Sequence, residues 1–390
     1  MTKFINTLYL GYIILWPLIY NFILPVDGAG RIYMLLTVVA LMMNIPNVRF
    51  RKLFFNPIIL LWFIWIIYSS LNFIRIGIKP QGGISFFTFF VIYLILPWMS
   101  MWITTYEARV RPRYILNTLL IYFSIYVFCG FIFQIGGGSA NERGGAILGN
   151  MLPLISLCLL FLSCIAYNLK SIKVYSLISV ILLTTATIFM VATRKAFLGE
   201  IIILLAFAIS RVPRITLKSL SKLILVCLIA YFIFSVFLEN SVLGERFTNI
   251  ENDAERYNTT DSFLLSLLGD RAYFYITGWE LFLTKPLFGI GLNNYMSVTH
   301  YPMPIHSEYM VQLTENGLIG FLIYIIFIIT FSKKCLMSKV KYLKRLYIGW
   351  IICILLLSFT TWTYDMPQYF MLFGIITAYV ANEHKYEMNQ

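Results

Sequence analysis

The sequence predicts an all-α fold: a polytopic membrane protein with about 12 transmembrane helices and one large outer loop that carries short helices of its own. Three observations predict it. Hydrophobic residues fill 60% of the 390 positions and the mean hydropathy is +0.81, too apolar for a soluble globule. Apolar runs of about 17 to 25 residues, the length that crosses roughly 30 Å of hydrocarbon as a helix, recur along the chain. Basic residues gather in alternate connections between those runs, as expected where positive loops resist translocation.

The first run, 8–24, follows Lys3 and has no small-residue cleavage site before Asp27, so it is expected to be an uncleaved helix and not a signal peptide. Runs at 32–46, 56–73, 84–104, 114–134 and 148–168 follow, the one at 32–46 being short. Next come 174–193, 196–211 and 220–238, and, after a long connection, 306–332, 345–359 and 367–381. Placing the N-terminus inside assigns 20 of the 30 basic residues to the cytoplasm, among them the groups at 49–52, 109–113 and 333–345, and leaves both termini there. The net charge of +13 then records topology and implies no nucleic-acid partner. Without an internal repeat or low-complexity linker, residues 1–390 read as a single membrane domain.

The long connection, 239–305, is expected to be structured, because loops of this length in compact proteins usually are. It holds a polar stretch, ERFTNIENDAERYN, and then a helix from about Asp270 to Thr284 that proline stops at Lys285-Pro286. Arg271, Tyr275, Gly278 and Phe282 recur there at helical spacing, which would lay one aromatic face on the membrane surface. The six cysteines, at 129, 158, 164, 227, 335 and 353, avoid this loop and read as small core hydrophobes, with neither a disulfide framework nor metal-ligand spacing.

Candidate chemistry collects at the outer membrane face. Arg194 and Lys195, in VATRKAFLGE, stand between two spans with almost no loop, where a charge is expensive without a partner or a task. They favour an anion nearby, or else cap the helices or pair with Glu200. Arg143, in the glycine-rich GGGSANERGGA, could meet a phosphate alongside backbone amides, or pair with Glu142 in a solvated loop. Arg271 opens the surface helix and can aim a planar fork at two phosphate oxygens, or pair with Asp270 or Glu280. His306 stands at the mouth of the next span with Met310, Leu313 and Gly317 below it; an imidazole is suited to take a proton from a hydroxyl at neutral pH, although interfacial histidines without such a role exist. Glu308 and Glu315 lie about two turns apart on one side of that helix, placed to orient a base, bind a sugar or pair with the arginines. Tyr275, Trp279 and Tyr295 could stack on sugars, but in a chain with 17% aromatics most rings serve packing and interface belts, and no stacking role is assigned to them. No Asp-x-Asp pair or His/Cys cluster offers a metal site, so the chemistry is expected to need neither metal nor cofactor.

The run opening at Arg271, RAYFYITGWELFLTKPLFGIGLNNY, and the run opening at His306, HSEYMVQLTENGLIG, resemble the outer-loop region of the bacterial O-antigen ligase and Wzy-type polysaccharide polymerase family. There an arginine opens a helix that ends in a P-L-x-G-x-G turn. A histidine followed by asparagine or serine then leads into L-x-E-x-G-x-x-G. The Thr193-Arg194-Lys195 turn resembles the family's arginine after a preceding span, with Lys195 beside Arg194 and Ser307 in place of the commoner asparagine as departures. The likeness covers about 140 residues closely.

The resemblance implies a metal-independent, inverting membrane glycosyltransferase with a helical, GT-C-like architecture in the bacterial inner membrane and its active site on the periplasmic face. Its donor would be a polyprenyl-pyrophosphate-linked glycan held by Arg194 and Arg271, with Lys195 and Arg143 as further donor-binding cations. His306 would activate the acceptor hydroxyl, supported by Glu308, Glu315 and Tyr295. The expected form is the polymerase, whose acceptor is a lipid-linked repeat unit. The ligase form, whose acceptor is a lipid A core, stays open. A lipid or sugar transporter is a third reading, disfavoured because ionisable residues collect at one face and the spans are nearly free of them.

Overall fold

The computed structural model describes residues 1–22, 26–76, 90–135, 146–191, 193–212, 271–300, 304–361, 363–364 and 366–383. Predicted span 220–238, the polar stretch at 245–258 and Arg143 lie outside them. Among the described residues all regular structure is helical: α1 (Thr2–Phe22), α2 (Val26–Asn44), α3 (Val48–Leu53), α4 (Pro57–Ile76), a π-helical turn (Phe90–Ile95) running into α5 (Leu96–Val110), α6 (Pro112–Ile135), α7 (Ala146–Asn168), α8 (Val174–Val191), α9 (Arg194–Ser210), α10 (Arg271–Thr284), α11 (Tyr295–Thr299), α12 (Glu308–Leu336), α13 (Lys341–Leu357) and α14 (Pro367–Ala381). Over its described residues, every predicted run except 220–238 coincides with a helix. Five of them, α1, α6, α7, α8 and α12, are long and apolar enough to cross a membrane unaided, and α2, α4 and α14 contain shorter apolar stretches. The chain is a multi-pass membrane protein.

Local chemistry sets several boundaries. Proline opens α4, α6 and α14, where its missing N–H leaves no gap in the helix ladder. Asn47 caps α3 by accepting from the Arg49 and Phe50 amides at 2.9 and 3.4 Å. This short helix sits in a connection that sequence periodicity reads as loop.

The core is built around α5 and α14, which pack along much of their length and are buried almost all round. Gly374 makes the approach possible: a Cβ there would stand 2.6 Å from the Met101 carbonyl oxygen. Around this pair, α4 lies on α12, α9 on α13, and α7 on α6, α8 and α9. Two buried indoles satisfy their N–H groups on neighbouring carbonyls, Trp98 on Ile59 at 3.1 Å and Trp102 on Phe50 at 3.0 Å. Cys158, Cys164, Cys335 and Cys353 are buried free thiols in this packing, Cys129 is exposed on α6, and Cys227 lies outside the described residues.

The two ends of the bundle are distinct. At one end Glu107, Asn6, Asn44 and Arg111 form a polar cluster, Asn382 reaches the Arg109 carbonyl, and Glu383 accepts from Ser338 and from the Lys339 amide. At the other end the starts of α9, α10, α12 and α14 and the close of α13 come together.

Candidate functional site

The site is organised by the start of α12. Ser307 caps it, its Oγ accepting from the Met310 amide at 3.4 Å, and so His306 stands just outside the helix and not at its first turn. Serine here keeps a side chain of the kind that asparagine also supplies at such caps, which gives a physical reason for the Ser307 departure. His306 is half-buried, with the edge of its ring on Phe274 of α10 at 5.8 Å between centroids. Phe274 in turn meets Tyr295 at 6.1 Å.

Glu308 is fully buried, and its backbone is held by the segment that joins α13 to α14: its N–H donates to the carbonyls of Ser358 at 2.8 Å and Thr361 at 3.2 Å. The carboxylate is held by the same segment, accepting from the amides of Thr363 at 2.5 Å and Tyr364 at 3.1 Å, and from Gln312 at 2.8 Å. Gln312 then accepts from the Trp65 indole and from Asn316, which makes a buried polar line down one side of α12.

The helix breaks two turns further on. Gly317 has φ 66 and ψ −172, a conformation that only glycine adopts at low cost, and the turn after α10 is stitched into the gap. Ile290 and Gly291 donate to the carbonyls of Thr314 and Glu315 at 2.9 and 2.8 Å, while Leu318 and Ile319 donate back to Pro286 and Leu287 at 2.8 and 3.3 Å. The backbones approach so closely that a Cβ on either Gly289 or Gly317 would lie 2.5 Å from main-chain atoms of the other strand. From α4, Asn72 donates to the carbonyls of Phe288 and Glu315, and Arg75 donates to Gly289 and lies over the Phe288 ring at 4.7 Å. Glu315 completes the junction, accepting from the Asn293 and Tyr295 amides at 2.7 and 3.3 Å.

Arg194 opens α9 and Arg271 opens α10; their side chains lie outside the described atoms. Their neighbours locate the two helix starts. Lys195 donates to the Thr360 carbonyl at 3.4 Å and to the Thr361 hydroxyl. Tyr275, one turn beyond Arg271, donates to the Phe359 carbonyl and stands 3.1 Å from Ser307 Oγ. The backbone starts of α9 and α10 and the approach to α12 through His306 therefore meet around residues 358–364.

Two expectations change. The Tyr275–Gly278 face of α10 packs on α12 and does not face a membrane surface: Gly278 is buried, its carbonyl accepting from Thr314, whereas Ile276, Trp279 and Leu283 are the exposed apolar residues. Tyr295 is buried, with its hydroxyl 2.5 Å from Thr277 Oγ1, so it is a packing and anchoring residue and not a sugar-stacking one. Glu200, considered as a partner for Arg194 or Lys195, accepts from Thr185 and Thr184 of α8. Residues 358–364, SFTTWTY, were not singled out in the sequence because they act mainly through backbone groups; a Ser/Thr-rich stretch between two apolar runs was the available signal.

Residues 178–325 match the family described as O-antigen ligase. The matched stretch runs from α8 into α12 and contains Arg194, Lys195, Arg271, His306, Glu308 and Glu315. No curated protein matches the chain. This part of the chain is thus similar to the O-antigen ligase family.

Proposed function

We propose that the protein is an inverting membrane glycosyltransferase that moves a glycan from polyprenyl pyrophosphate to an acceptor hydroxyl at the membrane surface. The observation that carries the reading is the meeting of three helix approaches, each with a cation or imidazole at its head, inside a stretch that fits a family of such enzymes. In the proposed reaction His306 takes the proton of the acceptor hydroxyl as its oxygen attacks the anomeric carbon. The bond from that carbon to the pyrophosphate oxygen breaks, and Arg194 and Arg271 stabilise the departing pyrophosphate charge, as preorganised cations do for developing anions in a partly dry site. His306 afterwards returns its proton to solvent.

The acceptor in this proposal is a lipid-linked repeat unit, which makes the protein a polymerase. The ligase form uses the same residues with a lipid A core as acceptor. The site would face the periplasm, with both termini cytoplasmic in the inner membrane, because the opposite end carries most of the basic connections. A GT-C-like helical architecture accompanies this reading.

The test is incubation of the purified protein with a polyprenyl-pyrophosphate repeat unit alone, followed by separation of products by size. A ladder is expected. Transfer only after addition of lipid A core would replace the polymerase by the ligase, and no transfer in either case would return the protein to the transporter class. Substitution His306→Ala is expected to stop transfer while donor still binds; normal turnover by that variant would remove the general-base assignment.

A further inference from the structure

We infer that the 358–364 segment is the positioning element of the site and that Lys195 acts through it, not on the donor. Three side chains from three helices converge on this one stretch. Lys195 of α9 holds Thr360 and Thr361, Tyr275 of α10 holds Phe359, and Glu308 of α12 holds Thr363 and Tyr364. The main-chain contacts run the same way, with the Glu308 amide on Ser358 and Thr361. Lys195 directs two N–H groups at this segment, so its removal releases Thr360 and Thr361. Tyr275 joins the segment to the cap of α12 through Ser307, next to His306. Glu308 is the keystone: buried in full, it is bound at both backbone and carboxylate, so the segment cannot shift without carrying the start of α12 with it.

The consequence for catalysis follows from geometry. A base 1 Å out of place loses as much as about 100-fold in rate while substrate contacts elsewhere persist. Loosening the segment should therefore lower kcat and leave donor KM in place, whereas removing a cation that touches pyrophosphate should raise donor KM. The inference rests on the proposed transfer reaction, and its test is chosen so that the two can fail separately.

Variants Lys195→Met, Tyr275→Phe and the double variant are assayed for transfer, and each is titrated with inorganic pyrophosphate. Each single variant is expected to lower kcat about 10- to 100-fold with donor KM and pyrophosphate affinity unchanged. The double variant should fall little further, because both changes release the same segment. A pyrophosphate affinity lost in Lys195→Met, or fully multiplicative losses in the double variant, would overturn the inference. If the wild-type protein transfers nothing, the reaction itself has failed, and amide exchange decides the positioning inference alone: Glu308→Gln should speed exchange at Thr363 and Tyr364 and at the start of α12 together. Exchange that rises in the segment while the start of α12 keeps its protection would count against it.

Discussion

Glu107 at one end of the bundle and Glu308 and Glu315 at the other are held in different ways. At the Asn6 end, Glu107 pairs with Arg111 at 2.6 Å and accepts from Asn6 at 2.7 Å, so a negative charge is met by a cation one helical turn away. At the His306 end, Glu308 and Glu315 are met by backbone amides of Thr363, Tyr364, Asn293 and Tyr295 and by the Gln312 amide. A local ion pair neutralises both partners and closes the matter. Carboxylates held by main-chain N–H groups instead fix loops in place.

The comparison can be broken most forcefully at the junction between α12 and the turn after α10. Substitution Gly317→Ala forces a side chain into a conformation that costs about 1 to 3 kcal/mol, and its Cβ would overlap the Leu287 carbonyl at 2.5 Å. Gly289→Ala meets the Glu315 carbonyl at the same distance. Both variants are expected to lose most of the folded protein, read as yield and thermal midpoint in detergent. A Gly317→Ala protein with an unchanged midpoint would show that the break is not a fixed feature.

Next in size is a matched pair of substitutions, Glu107→Gln and Glu308→Gln. The first removes the ion pair and leaves Arg111 to water, a loss of about 1.5 to 3 kcal/mol in stability, with turnover per folded molecule unchanged. The second should cost a comparable amount of stability but also lower turnover, because the amides of Thr363 and Tyr364 lose a charged acceptor beside His306. Equal turnover in the two variants would erase the distinction between the ends.

How much of this was legible beforehand follows from the same contrast. Apolar runs located the helices well because lipid demands them: α8 runs Val174–Val191 against an expected 174–193, while α10, expected at 270–284 from helical spacing and the proline stop, runs Arg271–Thr284. Charged and imidazole residues stand out in the sequence because they are costly in an apolar chain. The break at Gly317 was not, since TENGLIG continues a helical pattern and glycine there reads as a small packing residue until a second strand is seen to enter the gap. Nor was the Glu107 cluster, whose members Asn6, Asn44 and Glu107 come from three distant helices. The 358–364 segment leaves only a faint Ser/Thr-rich signal for a further reason: its main-chain groups do most of the work, and residue type does not report them.

Smaller effects sharpen the picture around α4. Asn72→Ala removes two hydrogen bonds, to the carbonyls of Phe288 and Glu315, and leaves Arg75 without its 2.9 Å acceptor. A loss of about 1 to 2 kcal/mol is expected, measured as a shift in thermal midpoint. Turnover should fall less than in Glu308→Gln, because the junction lies two turns below His306. A larger loss of turnover than in Glu308→Gln would move the centre of the site from the 358–364 segment to the glycine turn.

The mildest change expected to register is Ser307→Ala. It removes the cap of α12, worth about 1 kcal/mol, and with it the hydroxyl that stands between Tyr275 and the Ser358 carbonyl. The Tyr275 hydroxyl keeps the Phe359 carbonyl, so the tie from α10 to the segment survives. Stability should therefore drop by the value of a cap while turnover falls only a few-fold, less than in Tyr275→Phe, where the tie itself is cut. If the order is reversed and Ser307→Ala is the more damaging to turnover, the cap and not the segment sets the position of His306, and the working end of the bundle is governed by α12 alone.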